Sequence, residues 1–161
     1  MHRDPIFLQP SRIHYPLNAM ANITRNFTGT ARDTATLLLR IVLGVLGGLH
    51  GIGKLHAGPG MVLDLVTKAG LPSVLGYLVY VGEIVAPALL IVGLWTRAAA
   101  LVIVVNMLVA ISLVHTSQLF MLNKNGGYAL ELQAMYLFVA VAIALLGAGR
   151  FSIGGSGGRW N

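Results

Sequence analysis

TLLLRIVLGVLGGLHGIGKLH, Thr36 to His56, is an apolar run long enough to cross a lipid bilayer, and it carries Arg40, His50 and Lys54 inside it or at its edges. A membrane-spanning helix needs roughly 20 mostly apolar residues. An ionisable side chain within such a helix costs about 3 kcal/mol on insertion scales, so it faces protein rather than lipid and finds a partner there. His50 and Lys54 are four residues apart, which puts both on one helix face, one turn from each other. Gly44, Gly47, Gly48 and Gly51 share the run, and small residues let neighbouring helix backbones approach closely.

Outward from this stretch the composition agrees. The chain is 56% hydrophobic and 10% charged, whereas a soluble domain carries about 25% charged residues. Three more apolar runs, at 73 to 94, 98 to 117 and 131 to 148, are long enough to span. The predicted fold is therefore all-α, an integral membrane four-helix bundle over residues 35 to 150, with no room for a separate soluble module. Trp95-Thr96-Arg97 joins the second and third runs so tightly that they must form an antiparallel hairpin, with Trp95 as an interfacial aromatic. The first connection holds GMVLDLVTKAGLP, in which Met61, Leu65 and Val66 share a face and Asp64 can pair with Lys68. It predicts a short interfacial helix between the first and second spans, ended by Gly70 and Pro72. Asn125-Gly126-Gly127 marks a turn in the third connection.

Residues 1 to 34 hold Pro5, Pro10 and Pro16 without sustained periodicity and are predicted to be a disordered cytoplasmic tail; translation could begin at Met1 or at Met20. No secretory signal is read there, because IFLQP is too short for its apolar core. Residues 151 to 161, opening on Phe-Ser-Ile and running into GGSGG, are predicted to be a flexible tail. Placing the N-terminus, the 95 to 97 loop and the C-terminus together puts Arg3, Arg12, Arg25, Arg32, Arg40, Arg97, Arg150 and Arg159 on one side, against Lys54, Lys68 and Lys124. Basic residues mark the cytoplasmic side, so both termini are expected inside, in a multi-pass protein of a bacterial-type cytoplasmic (inner) membrane. The sequons at Asn22 and Asn26 then face the cytoplasm and carry no weight.

The chain has no cysteine, which excludes disulfides, thiolate metal sites and a cysteine nucleophile. Its net charge of +6 comes from basic residues scattered singly at the ends of apolar runs, the pattern of orientation signals rather than of a nucleic-acid surface. In the predicted topology His50, Lys54, Glu83, His115 and Glu131 all fall in the outer half of the bundle. At 1.5 Å per residue Glu83 lies roughly 15 Å deep, near the midplane, and most needs a partner. These groups either form buried pairs that only lock the helices in register or line an outward-facing pocket that handles protons or a quinone head group. A metal site is not predicted, because the Glu-x-x-His repeats of carboxylate-bridged bundles are absent. Asn106 reads as an interhelical hydrogen bond, Arg40 as snorkelling to the inner head groups. Gly53-Lys54 lacks the glycine spacing of a phosphate loop.

LLLRIVLGVLGGLHGIGKL, GLP before a span with a central Glu83, GLWTRAAAL, a third span ending in His115, GGYALEL and a closing GAGRFSI together resemble the DoxX family of small four-helix membrane proteins, over about Leu37 to Ile153. By position Arg40, His50, Gly51, Lys54, Glu83, Arg97, His115, Gly127, Tyr128 and Glu131 match its recurring polar and glycine positions. The family takes its name from a subunit associated with a membrane thiosulfate:quinone oxidoreductase and terminal oxidase. The resemblance implies a membrane subunit or partner of a quinone-linked oxidoreductase complex, related to sulfur or oxidative stress, with quinone as the ligand to look for. No haem, iron-sulfur or dinucleotide motif is present, so electrons would come from a partner subunit. The alternatives are a structural scaffold or anchor without catalysis, a homo-oligomer included, and a small proton or solute carrier.

Overall fold

The structure, a computed structural model, describes residues 17–155 and 157–161, with side chains from residue 26 onward. Among these the regular elements are helical: α1 (Leu17–Ala57), α2 (Gly60–Lys68), α3 (Ser73–Val92), α4 (Thr96–Val114) and α5 (Glu131–Leu146). Three segments, Asn26–Ala57, Ser73–Val92 and Thr96–Val114, are long and apolar enough to cross a membrane. The apolar helix α5 is shorter, at 16 residues. Its run was expected to continue to residue 148, but Gly147 and Gly149 take φ values of 83° and 70° and end the helix.

The first helix starts at Leu17, so the boundary of the expected tail at residue 34 is wrong: beyond Pro16 this stretch holds no proline, and Gly29 alone does not break a helix. Residues 1–16, with the rest of the expected tail and Arg3 and Arg12, lie outside the described residues. The short helix expected between the first two spans forms as α2, where the chain packs Leu63 against Gly76 and buries Val66, while Met61 stays exposed. The expected Asp64–Lys68 pair is not among the ion pairs of the described residues. An i, i+4 pair on an exposed helix gains only about 0.3–0.5 kcal/mol, too little to hold two mobile side chains together.

From Arg32 to Asn161 the chain is one compact unit. Its core is Leu43 of α1, Ala86 and Leu90 of α3, Ala99, Ala100 and Ile103 of α4, and Ala140 and Ile143 of α5. Half of those residues are alanine, so the helices are held by close backbone approach more than by bulk. Gly44 and Gly51 serve the same end: a Cβ on Gly44 would strike Ile91 and the Pro87 carbonyl, and one on Gly51 the backbone of Glu83. Leu38, Val42, Leu49, Val105, Leu108, Phe138 and Leu145 point outward and are exposed. An apolar belt of this extent is untenable in water and natural in lipid, so the chain is a multi-pass membrane protein.

Arg40 does not snorkel. It is 1% exposed, and its guanidinium donates to the carbonyls of Leu90 (2.9 Å), Ile91 (3.3 Å), Ala148 (2.6 Å) and Phe151 (3.0 Å). The last carbonyls of α3 and those just past α5 have no intrahelical donors. Two helix C-termini of roughly half a negative charge each are the counter-charge for one guanidinium, so Arg40 turns inward rather than toward lipid. The segment after Gly149 is not a free tail either. Asn161 is 6% exposed; its Oδ1 accepts from the Thr96 amide (3.2 Å) and hydroxyl (3.3 Å), and its backbone oxygen accepts from Arg97 Nε (3.1 Å). The residue before α4 is Trp95, which has no side-chain acceptor to cap the helix. Asn161 supplies one from 65 residues away.

Candidate functional site

Glu83 owes its position to Pro87. A proline has no N–H to give to the carbonyl four residues back, and its ring collides with that carbonyl. The carbonyl concerned belongs to Glu83, and the helix opens there into a π turn over Val81–Val85. The freed carbonyl faces Gly51, where a side chain would not fit. The π turn leaves Gly82 against the Asn106 amide and turns the Glu83 side chain into the bundle, where the residue is 6% exposed.

There Lys54 donates to both carboxylate oxygens, at 2.6 Å to Oε2, and Asn106 Nδ2 approaches Oε1 at 3.4 Å. The pair is asymmetric: the Lys54 side chain is 38% exposed and that of Glu83 7%. Lysine therefore sits at the mouth and carboxylate at the base. Tyr80 ties the end of α1 to α3 through its hydroxyl on the Lys54 carbonyl, at 3.4 Å.

Above this pair lies a cavity of about 230 Å³. Its polar lining is His50, Lys54, Glu83, His115, Gln133 and Tyr136, and its apolar wall includes Leu43, Pro87, Ile103 and Met107. His50 meets Tyr136 edge-on, with ring centroids 5.7 Å apart. His115 is held between two amides: Gln118 Oε1 lies 3.0 Å from Nδ1 and Gln133 Nε2 lies 3.3 Å from Nε2. Each ring nitrogen thus faces a side-chain amide, a group that carries both a donor and an acceptor.

Of the five residues grouped by depth in the sequence, the structure brings four to this cavity: His50, Lys54, Glu83 and His115. Glu131 is not among its lining. It is the first residue of α5, exposed, with its carboxylate beside Gly127 and its amide donating to the Tyr128 carbonyl at 3.1 Å. An acid in a first helical turn is already favoured by the helix dipole and does not need a buried partner. Asn106 forms the interhelical bond expected of it, and its acceptor is Glu83 itself. Gly127 and Tyr128 shape the loop before α5, Gly127 donating to Asn123 Oδ1 (2.9 Å) and Tyr128 to the Leu119 carbonyl (2.9 Å). Arg97 holds the carbonyls of Ala144 (3.1 Å) and Asn161 and is not part of the cavity lining. Gln133 and Tyr136 were missed. They are the polar residues inside an otherwise apolar α5 and stand three apart on one face, a signal that was present in the sequence.

A model of the DoxX family matches residues 35–116, which takes in Arg40, the Lys54–Glu83–Asn106 set and His115 and leaves the α5 wall of the cavity outside. The chain is also similar to "Putative oxidoreductase CatD" of Bacillus subtilis (strain 168), with 30% identity over 105 residues, 65% of this chain and 78% of that protein. No solved structure matches.

Proposed function

The chain belongs to the DoxX family, and on that premise we propose that it is the quinone-facing membrane subunit of an oxidoreductase complex concerned with sulfur or oxidative-stress chemistry. The observation that carries this reading is the cavity above Glu83. Its lysine is matched by its carboxylate, so it offers no net charge to a sulfur oxyanion, while neutral donors and acceptors surround a space of about 230 Å³. A quinone head group is neutral, one ring in size, and needs donors for its two carbonyl oxygens when oxidised and acceptors for its two hydroxyls when reduced. Tyr136, Gln133 and the His115 edge can serve both states. Reduction of the quinone consumes two electrons and two protons; electrons arrive from a partner subunit, and the Lys54–Glu83 pair is the titratable store beside the ring. The isoprenoid tail would leave between helices into lipid.

In this reading α5 is the fourth span, both termini are cytoplasmic and the membrane is the bacterial inner one. Basic-residue bias supports that orientation. Reporter fusions after Asn125 should read outside, and fusions after Arg97 and at Asn161 inside; the reverse pattern would overturn it. The functional test is purification from native membranes with partners intact, followed by extraction and mass identification of bound quinone. Wild type should retain quinone, and Tyr136→Phe combined with Gln133→Leu should lose it; a wild-type preparation free of quinone refutes the proposal. A purely structural scaffold is the second reading, favoured by the complete hydrogen bonding of buried side-chain polar atoms among the described residues.

A further inference from the structure

The chain has two tryptophans, and both line one groove. Trp95 closes the tight α3–α4 connection, and it is the non-glycine residue with positive φ, 48°, among those described. Such a conformation costs of order 1 kcal/mol or more, and here it leaves the indole 61% exposed. Trp160 is brought beside it from the far end of the chain by a built connection: the Arg97 amide donates to the Trp160 carbonyl at 2.9 Å, and Asn161 is buried against Thr96. A groove of about 250 Å³ lies between Trp95, Ala98 and Trp160, apolar throughout. At its rim Arg159 lies over the Trp160 ring, 5.7 Å from the centroid.

Charge decides the occupant. Of the basic groups in this part of the chain, Arg40 and Arg97 are spent on backbone carbonyls and Arg150 is paired with Asp33 at 3.6 Å. Arg159 has no ion pair among the described residues. A guanidinium over an indole face can keep N–H donors free for the fork that matches a phosphate. Paired tryptophans at a helix end belong at the membrane interface, where a ring can rest against an acyl chain.

We propose that the groove between Trp95 and Trp160 is a binding site for one anionic phospholipid, its acyl chain between the indoles and its phosphate on Arg159. The site is separate from the cavity above Glu83 and does not depend on what that cavity binds. Since both tryptophans line it, intrinsic fluorescence reads it directly. The full chain is reconstituted in phosphatidylcholine vesicles containing a minor fraction of either brominated phosphatidylglycerol or brominated phosphatidylcholine, and quenching is compared. Brominated phosphatidylglycerol should quench at about one fifth the mole fraction needed for the zwitterionic lipid, the factor expected for one basic residue at the surface. Arg159→Gln should bring the two curves together while leaving the emission maximum in unlabelled vesicles unchanged. Equal quenching of the wild type by the two lipids overturns the proposal. So does relief of the preference by glycerol phosphate alone, which would mark a site for free phosphate, and so does a preference that survives Arg159→Gln.

Discussion

Removing either partner of the Lys54–Glu83 pair should destabilise the protein, but by unequal amounts. Breaking a wholly buried pair costs about 3–5 kcal/mol, because the survivor is left charged and unsolvated. In Glu83→Gln the survivor is Lys54, whose side chain is already 38% exposed, so water can reach the ammonium and the expected loss falls to roughly 1–3 kcal/mol. In Lys54→Met the survivor is a carboxylate 6% exposed, left with the Asn106 amide at 3.4 Å. With so little of its surface accessible, a larger loss of about 3–5 kcal/mol is expected. Glu83→Leu with Lys54→Met removes both charges; what remains is the stranded Asn106 amide, about 1 kcal/mol. The double variant should therefore be more stable than Lys54→Met alone, by about 2–4 kcal/mol. Thermal unfolding of the four proteins in one detergent, followed by tryptophan emission, measures the ordering. A Glu83→Gln loss equal to or larger than that of Lys54→Met would refute the placement of lysine at the mouth and carboxylate at the base. Quinone retained by the double variant would refute the pair's role in the cavity.

Two other substitutions test the packing that sets up the site. Gly51→Ala places a methyl group on the Glu83 backbone, which cannot move aside as a side chain can, so a loss of about 1–3 kcal/mol is expected; Gly53→Ala, on the same helix with open space around it, should be neutral or stabilising by up to about 1 kcal/mol. A thermal shift of the same sign for both variants would contradict the close approach of α1 and α3. Arg40→Lys keeps the charge but cannot reach four carbonyls on two segments; with one or two acceptors stranded at about 1–3 kcal/mol each, unfolding should come several degrees lower, and an unchanged midpoint would return Arg40 to the lipid interface.

Length and apolar periodicity made the spans legible in the sequence, and the small-residue stripe of α1 announced a close helix contact before any partner was known. Depth along each span was enough to group His50, Lys54, Glu83 and His115, because helical rise converts residue number into height. Height says nothing of azimuth, which is why Glu131 was grouped with them and Tyr136 was not. Arg40 failed for another reason: its acceptors are backbone carbonyls at the ends of two helices, and every residue type carries those, so no side-chain pattern points to them. The closing GGSGG stretch reads as flexible by composition, yet one buried asparagine at Asn161 fixes its far end, and a single residue is beneath the resolution of a compositional argument. Pro87 was the overlooked clue. Four residues after a buried carboxylate, a proline alters the helix at that carboxylate, and the π turn at Glu83 could have been expected.

The two ends of the bundle solve the same electrostatic problem differently. At one end Arg32, Arg40 and Arg97 donate to the carbonyls of Leu146 (3.1 Å), Ala148 (2.6 Å) and Ala144 (3.1 Å), closing the C-terminus of α5 with guanidinium groups and neutral acceptors. No carboxylate takes part in those three contacts. The buried carboxylate of Glu83 is thus not needed to balance the arginine end, and it lies beside a cavity rather than within close-packed side chains. Helix register is already fixed by the arginine contacts and by the Gly44 and Gly51 approaches, which do not use its charge. An ion pair that served register alone would therefore duplicate a constraint already met, at the expense of desolvating two charges. That redundancy is the physical reason to expect the Glu83→Leu, Lys54→Met protein to remain folded while its cavity loses the ion pair proposed as its proton store.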